Sequence, residues 1–564
     1  MPPTGGGCRG GGSAAAPARQ PSPQQQQKQQ RRRGPPRRVT SRRLPLLLAV
    51  AAAAVAAAAA LPAAAAASDE WLPLTRVSGV RTGVHGLSAA ARGGGGGGGA
   101  ASAPRRLREQ SFVLDGSTKV GYYTAPMSLG SPPQTFHLIL DSGSSLTVVP
   151  CKQCDCGFHQ SKPFDPAASS TSRAIGCSDD ACSLPRRSCN VSESKSQCSF
   201  YNLYAEGSSS GGVVLTDKLL LPRPGGRAPE VLEGFKFGCA KFQTGQLYTQ
   251  EADGVAGLGF GPAALPAQLA AARKGGDGAP GAFSLCLGAD GGAMALGKAA
   301  RPPGAPALQY VSLLPSDRGY YVMPLQGWRV GDKSLDVTAD TFGPPASQRR
   351  VGERDASVIL DSGATFSYLA SPAFTALLRE VKESVKPLER GQRGGGGGGS
   401  GRRLLSLASL SPRRLLGAAK QPARGRVTVE HTADPLSSDA ECWRIGGEGV
   451  GDIESEYDLR GVFPDLELAF AGGAKLKLSP ERYMFIAARQ KKEGGDLVAC
   501  LGVFDGDDET VIGAVMMRDA VFEFDHAGGN RVGFADADCA ALARANAAAS
   551  VVETRQLTPN GAGR

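Results

Sequence analysis

The phrase "LILDSG" at residues 138–143 returns as "VILDSG" at 358–363. Each lies inside a longer matching phrase, "FHLILDSGSSLTVVP" and "ASVILDSGATFSYLA". An apolar run leads to an acid, a Ser-Gly turn follows, and β-branched or aromatic residues come after it. Such a phrase reads as a buried strand that delivers a carboxylate to a tight turn. Gly143 and Gly363 allow another backbone or a substrate to come close. A chain that carries this phrase twice is constrained to two similar halves. An approximate two-fold axis between them would set Asp141 against Asp361. Like charges roughly 3 Å apart do not both ionise readily, so the pair keeps one proton between its two steps. One carboxylate can then act as base on a water while its protonated partner donates to a carbonyl oxygen. That chemistry hydrolyses an amide directly, with no covalent intermediate, metal or other cofactor.

The rest of the chain fits a β framework with appendages. From Ser111 onward, short β patterns such as "VGYYTAPMSLG", "LELAF", "VFEFD" and "RVGFAD" are broken by Gly and Pro, which predicts a mostly-β body. One stretch, 371–385, predicts a helix, with Ser371 as cap and Pro372 in the first turn. Residues 68–110, with the run Gly93–Gly99, are expected to be poorly ordered. They read as a pro-segment or stalk ending in the basic cluster "PRRLREQSF", or as a plain linker. The Arg- and Gly-rich tract 391–426 reads as a disordered surface insertion. The formal charge of +11 belongs to these appendages. Residues 1–67 hold 10 basic and no acidic residues, 391–426 hold 8 and none, and the remainder has a net charge of −7. A nucleic-acid reading based on isoelectric point therefore fails, and no nucleic-acid partner is expected.

The N-terminus has the pattern of a targeting segment. A positive block, Arg31 to Arg43, precedes an uncharged stretch, Leu44–Ser68. It fits a signal peptide cleaved near Ala67, and it is also long enough to remain as a membrane anchor. An organelle transit peptide is the lesser alternative. Of 13 Cys, Cys8 lies in the leader. The other twelve are Cys151, Cys154, Cys156, Cys177, Cys182, Cys189, Cys198, Cys239, Cys286, Cys442, Cys500 and Cys539. An even number in an exported body allows six disulfides. Cys442 with Cys500 is the one pairing suggested, because both lie apart from the N-terminal cluster. Cys151, Cys154, Cys156 and His159 have a spacing that could hold zinc, but export favours disulfides, and no metal site is expected. The glycines at 254–261 have the wrong spacing for a dinucleotide loop. Asn190-Val191-Ser192 is a glycosylation sequon.

The paired Asp-Ser-Gly phrases, with the material between and after them, resemble pepsin-type aspartic proteases, in particular the Cys-rich nepenthesin-like branch of plants and algae. The resemblance covers roughly 120–540. It implies a mostly β, bilobal pepsin-like acid protease fold, with two pseudo-symmetric lobes and a cleft between them. It implies an aspartic endopeptidase of the secretory pathway or cell exterior, with Asp141 and Asp361 as the catalytic pair. "YNLYAEGSSSGG" (201–212) resembles the flap hairpin, with Tyr204 closing over the substrate. "DGVAGLG" (253–259) and "TVIGAVMMRD" (510–519) resemble the two loops behind the active-site turns, which places Gly257 and Gly513 there. "CKQCDCGFHQSKPFDPAASSTS" opens the disulfide-rich insertion, 151–198. By the same resemblance, Gly143, Gly363 and Thr365 lie beside an extended peptide, and Ser142, Ser144 and Ser362 support the dyad. The expected organisation is a leader (1–67), a pro-segment or stalk (68–110), lobes at 111–308 and 309–545, and a tail (546–564). A monomer is expected.

Two positions depart from the pattern. Ala364 stands where the family usually has a Thr or Ser bonded to the second Asp. Losing that donor predicts a raised second apparent pKa and activity at less acidic pH. Val148 replaces a Trp that bonds the flap tyrosine in pepsin, so Tyr204 needs another partner. Two other readings remain: a catalytically silent relative that binds proteins through the same cleft, and a zinc- or nucleic-acid-binding regulator built on the Cys cluster.

Overall fold

The computed structural model describes residues 71–78 by backbone alone and, with breaks, 121–389 and 427–542, the longest break being 342–357. The leader with its uncharged stretch 44–68, residues 79–110, the insertion 391–426 and the tail 546–564 lie outside the described residues. Among the described residues, no helix is long and apolar enough to cross a membrane.

The two repeated phrases form short strands, Gln134–Asp141 and Val358–Asp361. The first begins half-exposed and becomes continuously buried over Leu138 to Asp141, and the second is buried throughout. Unbroken apolar runs of this kind suit strands covered on both faces. Each fully buried Leu or Ile there contributes about 1.5–3 kcal/mol.

Both strands are extended by a parallel neighbour in the same register. Gly254–Gly257 runs beside the first, pairing Gly257 with Asp141. Thr510–Gly513 runs beside the second, pairing Gly513 with Asp361. An antiparallel contact closes each arrangement, Val148 with Val255 in one half and Tyr368 with Val511 in the other. The repeated sequence thus folds into a repeated topology.

The first arrangement belongs to a 15-stranded sheet and the second to a five-stranded sheet; two four-stranded sheets complete the body. The large sheet is shared by distant parts of the chain. It runs from Gln309–Ser312 through Arg531–Asp536, Ala520–Asp525, Phe283–Gly288 and Gly291–Leu296 before reaching the strands that carry Asp141. The architecture is mostly β, as the short strand patterns required.

Two expectations are corrected. Residues 71–78 fall in the stretch expected to be poorly ordered, yet they form a strand inside the large sheet. Trp71 to Leu74 pair with Ala295 to Gly292, and Thr75 to Ser78 pair with Thr124 to Gly121. The segment "WLPLTRVS" joins two edges that would otherwise expose unpaired backbone groups, so its placement satisfies both. The helix spans Ser371–Glu389 rather than 371–385. Ser371 does not use its hydroxyl as a cap; it donates to Asp505 Oδ1 at 2.6 Å, tying the helix start to the strand Val503–Asp505.

Candidate active site

At the centre the two phrases clasp each other. The Ser142 amide donates to Ser362 Oγ (3.1 Å), and the Ser362 amide donates to Ser142 Oγ (2.9 Å). Each hydroxyl then donates onward, Ser142 to Leu360 O (3.1 Å) and Ser362 to Leu140 O (2.8 Å). Four buried bonds, related by an approximate two-fold axis, therefore fix the two acid-bearing turns against one another. Gly363 is pressed so close that a Cβ placed on it would lie 2.5 Å from Asp141 Oδ1.

The loops behind the turns are bonded to them in both halves, though not to equivalent carbonyls. Leu258 and Gly259 donate to Asp141 O and Ser144 O, while Ala514 and Val515 donate to Ala364 O and Thr365 O. The Gly257 amide bonds Thr147 Oγ1 (3.2 Å), and the Gly513 amide bonds Ser367 Oγ (3.0 Å). Both loops need glycine. A Cβ at Gly257 would meet Leu146 N at 2.6 Å, and one at Gly513 would collide with Phe366 O.

The carboxyls themselves are almost wholly withdrawn from solvent, Asp141 3% exposed and Asp361 0%. Asp141 Oδ1 accepts the Gly143 amide at 2.8 Å. Asp361 Oδ1 accepts those of Gly363 (2.9 Å) and Ala364 (3.3 Å). Burial raises Asp141, opposed by the Ser144 hydroxyl, the Gly143 amide and Asp361. The Ser144 hydroxyl completes no hydrogen bond of sound geometry, but it lies near enough to favour the ionised form. Burial likewise pushes Asp361 well above the usual carboxylate range, and the charge of Asp141 adds to it. On the Asp361 side only amides oppose the rise, because Ala364 supplies no hydroxyl, and Oδ2 has no hydrogen-bond partner. The pair titrates as a unit, and of its two members Asp361 is the one pushed further above the ordinary carboxylate range.

The remaining expected residues sit as follows. Tyr204 is buried against Leu247 and Val255. Val148 lies in the adjoining core beside Leu146, Phe200 and Val214. Thr365 is buried, and its hydroxyl has no hydrogen-bond partner. The sulfurs of the zinc alternative are used in disulfides, Cys151–Cys239 and Cys154–Cys156. His159 is bonded to Ala252 O and Gln243 Oε1, both at 2.9 Å. Further disulfides join Cys182 to Cys198, Cys286 to Cys539 and Cys442 to Cys500, the last being the pairing suggested above. Cys177 is also disulfide-bonded. The side chains of Cys189 and Asn190 lie outside the described residues.

Sequence reading missed three supporting residues. Thr147 and Ser367 each stand six positions after an active-site Asp, a repeat that the aligned phrases would have shown. Arg482, buried, donates Nη2 and Nε to Met516 O at 2.6 and 3.1 Å. It thereby holds the end of the short helix Ala514–Met517 that follows Gly513. No local pattern announces it.

Residues 123–298 match the family model described as xylanase inhibitor N-terminal, and 431–536 match the one described as xylanase inhibitor C-terminal; together they take in half of the chain. The chain belongs to the pepsin-like aspartic protease family. Within that family, it is 32% identical over 282 residues to aspartic proteinase 36 of Arabidopsis thaliana, covering 47% of this chain and 55% of that protein. It is 29% identical over 299 residues to aspartic proteinase nepenthesin-2 of Nepenthes gracilis, covering 50% and 62%. The chain thus spans little more than half the length of these curated relatives. Among solved structures it resembles basic 7S globulin from soybean, with TM-score 0.51 and 19% identity over 76% of this chain and 97% of that one. A second, edgp, has TM-score 0.51 and 18% identity over 76% and 95%. These two likenesses establish the pepsin-like fold.

Proposed function

We propose that this chain is an aspartic endopeptidase. The observation that carries the reading is the reciprocal clasp of Ser142 and Ser362, which holds two buried carboxyls of opposite halves together. Asp141, ionised, removes a proton from a water, and the oxygen attacks the carbonyl carbon of the scissile bond. Asp361 gives its proton to the carbonyl oxygen. Collapse of the tetrahedral intermediate breaks the C–N bond, and a proton passes to the leaving nitrogen. The substrate is a peptide in extended conformation, held through backbone hydrogen bonds beside Gly143, Gly363 and Thr365. The mildly acidic body supports a protein rather than a nucleic-acid partner, and a monomer is the working unit.

For location we propose the secretory pathway or the cell exterior, supported by the disulfides and by the family. The test is cleavage of a peptide library across pH 3–8 by the wild type and by the Asp141→Asn and Asp361→Asn variants, with and without pepstatin. Cleavage lost in both variants and blocked by pepstatin supports the proposal; cleavage that survives either substitution overturns it. The other reading, a silent protein-binding relative, has the description of the two matching family models in its favour. Retention of both acids argues against it, and a wild type that cuts no peptide in the library would favour it.

A further inference from the structure

Arg482 is a buried cation, its side chain 3% exposed, that spends its donors chiefly on backbone. Nε and Nη2 converge on Met516 O, and Nη1 gives a 2.8 Å bond to Lys477 O. Nη1 also reaches Asp536 Oδ1 at 3.3 Å, but that side chain is 53% exposed, and water weakens the ion pair. Withdrawing a guanidinium from water is costly, and an apolar side chain would fill the same space at less cost. An apolar side chain could not fix two carbonyls with one planar fork.

The helix that Arg482 holds, Ala514–Met517, is four residues long, too short to satisfy its own carbonyls. Met516 O is taken by Arg482, and Arg518 Nε reaches Val515 O at 3.4 Å. At its start the helix gives amides to the second active-site turn, Ala514 to Ala364 O (2.7 Å) and Val515 to Thr365 O (3.0 Å). That turn in its own right offers the amides of Gly363 and Ala364 to Asp361 Oδ1. A chain of contacts thus runs from Arg482 through the helix and the turn to the carboxyl. In the first half the loop carbonyl Leu258 O is held by a neutral hydroxyl, that of Tyr321, at 2.7 Å. The two acids are backed by unlike supports.

We infer that Arg482 is a positioning residue for Asp361: by locking the helix Ala514–Met517, it holds in place the amides that stabilise the ionised form of that carboxyl. The inference rests on the peptidase reading, in which loss of the shared proton ends activity at higher pH. The charge that faces Asp361 is that of Asp141. Arg482 faces Asp536 and Asp519, the latter also beside Arg518, while the adjacent Glu481 pairs with Arg460. Arg482 therefore acts on Asp361 through backbone geometry and not through its own charge.

The test separates the two. Arg482→Lys keeps the charge but not the fork; Arg482→Met removes both. Carbon-13 labelling of the aspartate carboxyls follows the Asp361 titration by NMR in the folded chain, the signal being assigned by its loss in Asp361→Asn. Both variants are expected to raise that titration midpoint by about half a pH unit, since fewer well-placed amides favour the ionised form. In peptide cleavage, kcat should fall about tenfold with KM within about twofold, and the high-pH limb should move up with the midpoint. Arg273→Met, which takes a guanidinium from Leu296 O (3.0 Å), controls for lost stability and should move neither. Arg482→Lys carries the test if Arg482→Met does not fold. A wild type that cuts no peptide overturns the peptidase reading, while the NMR midpoint still decides the role of Arg482. An unmoved midpoint in Arg482→Lys, or an equal shift in Arg273→Met, overturns the inference.

Discussion

Ser142 and Ser362 each give a hydroxyl proton to the leucine carbonyl that precedes the other's aspartate, and each accepts the other's backbone amide. Neither half can place its carboxyl without the other. Replacing Ser142 by Ala removes two of these bonds, including the one that the buried Ser362 amide makes. The expected cost is about 2–3 kcal/mol in urea unfolding, with a fall in kcat. Ser142→Thr keeps the hydroxyl and should restore both. Recovery of neither by Thr would show that the clasp does not position the dyad.

The two loop glycines should be intolerant of even one methyl group. Gly257→Ala and Gly513→Ala each drive a Cβ into backbone of the adjoining turn, so the strain cannot be relieved by a rotamer change. A loss of about 1–3 kcal/mol is expected for each, and peptide cleavage should fall more than for alanine at the nearby Gly261, where the nearest atom is a Ser145 side chain at 3.3 Å.

Ala364 sets the electrostatic asymmetry of the dyad. Ala364→Ser offers a hydroxyl to Asp361, whose Oδ2 has no hydrogen-bond partner, and should stabilise its ionised form. The kcat/KM profile over pH 3–8 is expected to shift toward acid relative to wild type. An unmoved profile would show that some other group controls the second ionisation.

The raised pKa of Asp361 also bears on stability. A carboxyl whose native pKa exceeds its unfolded value binds its proton more tightly in the folded state. Its stabilising contribution is complete below the ordinary carboxylate value and is lost as pH rises from there through the native value. Asp361→Asn removes that loss. The variant should match wild type near pH 3 and exceed its Tm by about 2–5 °C at pH 7, as read by calorimetry. A difference that stays constant with pH would rule out this linkage.

Much of the site was legible because it is written twice. The duplicated phrases disclosed the acids, and the matching apolar-Gly loops disclosed Gly257 and Gly513, since backbone contact at those points admits no other residue. Arg482 was invisible, because its partner is the carbonyl of Met516, and a carbonyl has no sequence signature. The burial of Tyr204 depends on Leu247 and Val255, which come from a distant segment. The strand Trp71–Ser78 was obscured by its Gly-, Ala- and Arg-rich surroundings, although its own eight residues include Trp, two Leu, Thr and Val.

That strand yields a further expectation. Protein beginning at Ser111 lacks it and leaves the edges Gly121–Thr124 and Gly292–Ala295 without partners. Such a protein should show a lower Tm than one beginning at Asp69, and it should aggregate through the open edges. Equal stability of the two would show that the pairing contributes nothing.

The Cys286–Cys539 bond links positions 253 residues apart in sequence. The basic tract 391–426, rich in arginine pairs, falls between those two cysteines. A nick within that tract, by another enzyme or by a second copy of this one, would therefore yield a two-chain molecule tied by a single sulfur bridge. On a gel it would separate into two bands only after reduction.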